Sequence, residues 1–290
     1  MIAPEKTGVP PRVGVLGGGR MGAGIAHAFL VSGAEVVVVE RNAAEAAAAR
    51  ARVLASVDAG VARGTMTEDR DAVAARLSAD TDDALFGHCG LVLEAVPEDP
   101  VLKLESLRRV EAVLAPGAAL ASNTSSISID DLAGNLARPE TFLGMHFFNP
   151  VPASALVEVV RGAATDDALV VRAQGWVRAL GKTPVTVNDA PGFASSRLGV
   201  AIGLEAIRML EEGVASAEDI DAAMVLGYRF PIGPLRLTDV VGLDVRLGIA
   251  EYLHERLGAR FEPPALLRAL VAEGQLGRKS GRGFYEWGEG

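Results

Sequence analysis

Only one cysteine, Cys89, occurs in 290 residues, so no intrachain disulfide can form and the chain reads as intracellular, in the cytoplasm. Cys89 itself, between His88 and Gly90, reads as a small buried apolar residue. Aromatic residues make up 5%, which leaves few rings for a platform on which single-stranded nucleic acid could stack. Positive charge is scarce too. With 28 Lys and Arg against 37 Asp and Glu, the net charge of −9 argues against a nucleic-acid backbone as partner. A small anionic ligand is still compatible, because a few local amides or cations can hold a phosphate. No run approaches the roughly eighteen apolar residues of a membrane span; the longest are broken by His27, Ser32 and Glu35. No Cys/His cluster or H-E-x-x-H spacing is present, so no metal is expected. The segment from Met1 to Arg12, with Pro4, Glu5, Lys6 and two further prolines, does not have the form of a signal peptide.

What is present is a globular balance, 49% hydrophobic and 22% charged, in a length that suits about two domains. Val13 to Leu16 is a short apolar run followed by glycines, a helix is expected from Met21 to Ser32, and Val36 to Val39 reads as a second buried strand. That is a βαβ unit with parallel strands. Ala43 to Arg63 predicts a long, largely solvated helix. Leu91 to Val96, Ala118 to Ser122, Thr141 to Met145 and Leu156 to Val160 have strand length, with helical stretches Lys103 to Leu114 and Ala168 to Leu180 among them. After Val185 to Asp189 strand-like alternation ceases, and helices are expected over Ser195 to Glu212, from Ser216, over Thr238 to Leu257, and from Pro263 to Glu273. The fold class is therefore α/β, a Rossmann-type doubly wound sheet over residues 1–189 followed by an all-α domain over 190–290.

Gly17-Gly18-Gly19-Arg20-Met21-Gly22 matches G-x-G-x-x-G between a strand and a helix, which is where a dinucleotide pyrophosphate is held. Gly17 suits a tight turn, Gly19 close approach of a ligand, and Gly22 close packing of helix on strand. Glu40 ends the next strand, placed to accept ribose hydroxyls and to repel a 2′-phosphate, which favours NAD over NADP; the adjacent Arg41 pulls the other way. A second cluster comprises Ser122-Asn123-Thr124-Ser125-Ser126, Met145-His146-Phe147-Phe148-Asn149-Pro150 and Leu156-Val157-Glu158-Val159. Glu158 lies in an apolar strand where an unpaired charge is costly, and His146 across the Pro150 to Pro152 turn is its nearest candidate partner. A carboxylate on one ring nitrogen leaves the other free to take a proton, as a general base requires.

These segments, with Pro191-Gly192-Phe193 and Gly277-Arg278-Lys279-Ser280-Gly281-Arg282-Gly283-Phe284-Tyr285, together resemble the L-3-hydroxyacyl-CoA dehydrogenase family, near its bacterial 3-hydroxybutyryl-CoA members, from Val13 to Tyr285. The resemblance implies that His146 and Glu158 remove the proton of a 3-hydroxyl while hydride passes to nicotinamide, and that Ser125 binds the reacting oxygen. It implies NAD contacts at Glu40, Glu98, Lys103, Ser125, Asn149 and Lys279 beside the glycine turn with Arg20 and Met21. It further implies CoA contacts at Ser56 and Arg63, the latter in place of a lysine, and a homodimer formed through the helical domain. The apolar positions Ile202, Ile207, Leu210, Leu243, Leu247 and Ile249 are candidates for that surface.

Two positions depart from the family pattern. Ser196 stands where a catalytic-site asparagine is usual, and Ser154-Ala155 replaces Met-Lys before the Leu-Val-Glu strand. A carrier-protein thioester or a free hydroxy acid is accordingly an alternative substrate to an acyl-CoA thioester. A non-catalytic NAD-binding protein is the competing class, against which the retention of both His146 and Glu158 argues.

Overall fold

The computed structural model describes residues 8–66 and 68–288, so the first seven residues of the Met1 to Arg12 segment lie outside it. The chain divides into two compact units, one ending at Asp189 and the other beginning at Ala190.

The first unit runs β1 (Arg12–Leu16), α1 (Arg20–Val31), β2 (Glu35–Val39), α2 (Ala43–Ala62), α3 (Arg70–Ala75), β3 (Leu77–Asp80), β4 (Leu91–Glu94), α4 (Pro100–Val113), β5 (Ala119–Ser122), α5 (Ile129–Ala133), β6 (Phe142–Phe147), β7 (Leu156–Arg161), α6 (Asp167–Ala179) and β8 (Thr183–Asn188). The strands form one sheet in the order β3-β2-β1-β4-β5-β6-β7-β8. Strands β1 to β6 are mutually parallel; β7 is antiparallel to β6, and β8 runs parallel to β7. The reversal follows from connection length. A parallel neighbour needs a crossover of a dozen or more residues, whereas the chain between Phe147 and Leu156 is a short turn and can only fold back. Helices on the sheet faces explain why Val36 to Val39 and Leu91 to Leu93 are apolar without alternation, for all seven are buried.

Strand order switches direction between β1 and β4, which opens a crevice at the strand C-termini where the glycine turn lies. Gly17 has φ of +90°, which a side chain would strain. A Cβ on Gly22 would lie 1.8 Å from the carbonyl oxygen of Gly17, so the helix can sit this close to the turn only without one. Along α2 the buried stripe Ala46, Ala49, Val53, Val57 and Gly60 follows helical spacing, and its other faces are solvated as expected. The edge strand β3 was not apparent from the sequence: of Leu77-Ser78-Ala79-Asp80 only Leu77 is buried, so it lacks an apolar run.

The second unit contains α7 (Ser195–Glu211), α8 (Ala217–Ala222), α9 (Pro234–Val241), α10 (Leu243–Leu257) and α11 (Ala265–Ala272). The helical stretch expected over Thr238 to Leu257 is two helices, broken at Gly242 with φ of +106°. Val200, Leu204, Ile207, Leu235, Leu243, Leu253 and Leu267 form its core. Here one expectation is corrected. Ile207 and Leu243 are fully buried, so these two side chains serve the unit's interior and not an outer apolar face, while Leu210, Leu247 and Ile249 pack against the same core and are partly buried. The large apolar residues that are exposed are others, Leu198, Val240, Val241 and Val245 among them. Buried Asp239 accepts hydrogen bonds from the backbone N–H groups of Phe284 and Tyr285 and from the Trp287 indole, all at 2.8 to 2.9 Å, which holds the C-terminal glycine-rich segment in place. Among the described residues no helix is long and apolar enough to cross a membrane.

The contact at Gly22 gives the first prediction. Gly22→Ala should lower unfolding stability by about 1–3 kcal/mol, the usual cost of forcing a methyl into a filled site. Urea denaturation measures it, and a stability equal to that of the wild type would contradict the packing described.

Candidate active site

Residues opposite one another on an antiparallel pair point to the same face with Cβ atoms about 5 Å apart. His146 and Glu158 are such partners across β6 and β7, and the imidazole Nδ1 lies 2.8 Å from Glu158 Oε2. Both side chains are buried, Glu158 with 1% exposure. A carboxylate only accepts, so Nδ1 carries the hydrogen and donates it, which leaves Nε2 as the basic nitrogen. The ring also lies against Phe148, 4.4 Å between centroids. Asn123, just past β5, accepts a hydrogen bond from the Phe147 N–H at 2.8 Å and so ties the serine-rich segment to the strand that carries the histidine.

The segment after β5 is held by Glu98. Its Oε1 accepts from the Thr124 hydroxyl at 2.6 Å and the Ser125 N–H at 2.9 Å. Burial acts to raise the Glu98 carboxyl, but Lys103 and these donors outweigh it and hold the group below the ordinary carboxylate range. Lys103 is expected from resemblance to touch the cofactor. The structure places its ammonium inward, 2.8 Å from Glu94 Oε1, 3.2 Å from the Val96 carbonyl and 3.3 Å from Glu98, with only 1% of the side chain exposed.

Glu94 is the residue that sequence reasoning missed. It ends β4 fully buried and accepts from Lys103, from the Ser122 hydroxyl at 2.6 Å and from the Val96 N–H at 2.7 Å; desolvation pushes its pKa up against these partners. The signal was a carboxylate at the end of the apolar run Leu91 to Leu93, the same sign that marked Glu158.

A cleft of about 770 Å³ lies over the glycine turn, lined by Gly17, Gly19, Met21, Glu40, Glu98 and Ser125 among others. Its features suit a dinucleotide. The N-terminus of α1 has no side-chain cap and no acidic residue in its first turn, so its N–H groups are available to an anion. A Cβ at Gly19 would meet nothing within 4 Å, which leaves the approach open. Glu40 is fixed at the rim, its Oε1 accepting from the Gly18 N–H at 2.6 Å. No group of His, Cys, Asp or Glu capable of holding a metal occurs among the described residues.

A second cleft of about 1060 Å³ begins on the other side of Gly19 and Arg20. Ser56 and Arg63 of the α2 region line it, together with Arg52, Lys182 and Asn149. The Lys182 ammonium donates to the carbonyl oxygens of Val151 and Ser154, which secures the turn between β6 and β7. Ser196 and Lys279 belong to the helical unit. Ser196 is in the first turn of α7, and the Lys279 ammonium lies 2.6 Å from Asp244.

Comparison with known proteins gives the same picture from another direction. Residues 12–190 match the 3-hydroxyacyl-CoA dehydrogenase NAD binding domain, and residues 192–287 match the C-terminal domain of the same family. A 3-hydroxybutyryl-CoA dehydrogenase of Mycobacterium tuberculosis is 44% identical over 280 residues, 95% of this chain and 98% of that one. The mitochondrial hydroxyacyl-coenzyme A dehydrogenase of Sus scrofa is 39% identical over 285 residues, covering 95% and 90%. The crystal structure of (S)-3-hydroxybutyryl-CoA dehydrogenase from Ralstonia eutropha superposes with a TM-score of 0.92 at 40% identity, over 97% of this chain and all of that one. With both domains matched in order, the chain belongs to the 3-hydroxyacyl-CoA dehydrogenase family.

Proposed function

We propose that the chain interconverts an L-3-hydroxyacyl-CoA and its 3-ketoacyl-CoA with NAD, the short-chain 3-hydroxybutyryl thioester being the preferred substrate class. The observation that carries the chemistry is the buried pair of His146 and Glu158 at 2.8 Å, on the strand tied by Asn123 to the end of β5.

In the oxidative direction His146 Nε2 takes the proton of the 3-hydroxyl, and the Glu158 carboxylate balances the imidazolium that forms. The Ser125 hydroxyl donates to the reacting oxygen, positioned by the hydrogen bond from its backbone to Glu98. NAD, when bound, supplies the hydride acceptor. Gly17, Gly19, Arg20, Met21 and Gly22 would frame its pyrophosphate site, Glu40 would take its ribose hydroxyls, and Glu98 and Asn149 would contribute further contacts. Lys103 acts in this scheme through Glu94 and Glu98, whose positions it sets. Ser196 offers one hydroxyl where the family asparagine's amide would offer two donors and an acceptor.

Ser56 and Arg63 hold the CoA moiety in the second cleft. Among the described residues Arg20, Arg52, Arg63 and Lys182 line that cleft and no Asp or Glu does, which makes it suitable for the phosphates of CoA in a protein of net charge −9. The homodimer forms through the helical unit, where Leu198 is 63% exposed and Val240, Val241 and Val245 are also exposed. The protein works in the cytoplasm.

Acetoacetyl-CoA should be reduced with consumption of NADH, followed by absorbance, faster than carrier-protein-linked or free-acid forms of the same acyl group; preference for the free acid would defeat the thioester assignment. His146→Ala should lower kcat by about two to four orders of magnitude with NADH affinity nearly unchanged, and full turnover in that variant would remove the mechanism. Glu40→Ala should weaken NAD binding and narrow the preference over NADP. Cofactor selectivity equal to the wild type's would contradict the ribose assignment.

A further inference from the structure

His27 stands on α1 with its ring against the second cleft, and only 8% of the residue is exposed. Its Nδ1 is buried without a hydrogen-bond partner. A buried polar nitrogen left in that state is costly, a cost relieved when the ring turns toward a partner. The surroundings are one-sided in charge. Arg63, after the end of α2, and Lys182, between α6 and β8, both act on the ring, while Arg52 of α2 and Arg20 of its own helix line the same cleft, with no carboxylate among the described residues that line it. A Cβ built on Gly60 of α2 would lie 4.0 Å from the imidazole Cε1, so the ring sits close to the α2 backbone on that side.

We propose that His27 is a ligand-binding residue of this cleft, donating a hydrogen bond to a phosphate group of the incoming thioester and taking up a proton from solvent as it does so. The proposal rests on the reading of the second cleft as the CoA site. Burial first, and then the fields of Arg63 and Lys182, hold the imidazole below its ordinary pKa, so in the free protein at neutral pH the ring is uncharged. A phosphate entering among four cations reverses the local field and brings acceptor oxygens. Both changes favour the imidazolium, so the pKa rises on binding. Linkage fixes the sign. Binding is strongest below the pKa of the free ring, and it weakens as pH rises until the pKa of the bound ring is passed.

The test uses the full chain and adenosine 3′,5′-bisphosphate as probe, titrated calorimetrically at pH 7 in two buffers of different ionisation heat. The wild type should take up more protons per probe bound than His27→Gln, by an amount approaching one. From pH 6.5 to 7.5 its Kd should also rise several-fold more, up to about tenfold, than that of the variant. Subtracting the variant removes the titration of the probe's own phosphates. In the wild type, the nitrogen NMR signals of the His27 ring should move to the imidazolium position when the probe is added at pH 7, a readout that needs no variant. Equal proton uptake and equal pH slopes in the two proteins, with the ring signals of His27 unmoved, would overturn the role of His27 while leaving the phosphate cleft intact. No binding of the probe to the wild type would overturn the cleft assignment, and this proposal with it.

Discussion

A charge taken out of water needs a partner, and the centre of this protein is organised by two carboxylates that have been taken out of water. Glu94 and Glu158 are almost inaccessible, each on a strand of the same sheet, and neither could remain ionised alone. Glu158 is answered by His146 across a strand pair. Glu94 is answered by Lys103, Ser122 and a backbone N–H. The consequences differ because the partners differ. An ammonium is saturated by its three acceptors and can only hold things in place, whereas an imidazole has a second ring nitrogen able to gain and lose a proton. The same physical demand therefore yields a brace at one place and, under the proposed function, a base at the other.

The brace matters to the base through the segment between them. Lys103 reaches Glu94 and Glu98 together, Glu98 fixes Thr124 and Ser125, and Asn123 of the same segment holds the N–H of Phe147 next to the histidine. A serine in the loop after β5 and an imidazole on β6 are thereby tied to one framework. Such rigid support is what a reaction needing near-contact geometry requires of its scaffold.

Much of this could be read from the residues, and the reasons for the failures are physical. The glycine turn announces β1, α1 and β2 because few other sequences tolerate φ of +90° at Gly17 and the closeness at Gly22. The pairing of Glu158 with His146 was legible because a carboxylate in an apolar strand has to be neutralised by something near in the chain. Glu94 obeys the same rule, but its partner lies on a helix whose lysine looks like any surface lysine in one dimension. The strand β3 was hidden because an edge strand with one buried side chain carries no apolar pattern. The assignment of Ile207 and Leu243 to an outer face failed because periodicity shows that a helix has an apolar side without showing which neighbour covers it.

Charge is distributed with the same economy. The chain is acidic overall, yet the two clefts that meet at Gly19 and Arg20 are unlike in their linings. The first mixes Glu40, Glu45 and Glu98 with Arg20, Arg41 and Lys103, and offers an anion mainly the N–H groups at the start of α1. Among the described residues the second has cations and no carboxylate. A ligand whose anionic bridge lies between two neutral, hydroxyl-bearing halves is accommodated by the first, where a rim carboxylate can take the hydroxyls. A ligand whose phosphates are concentrated at one end would, under the proposed function, suit the second, where a carboxylate would only repel it. The proposed function would therefore sort its two anionic ligands by where the protein has placed its own negative charge.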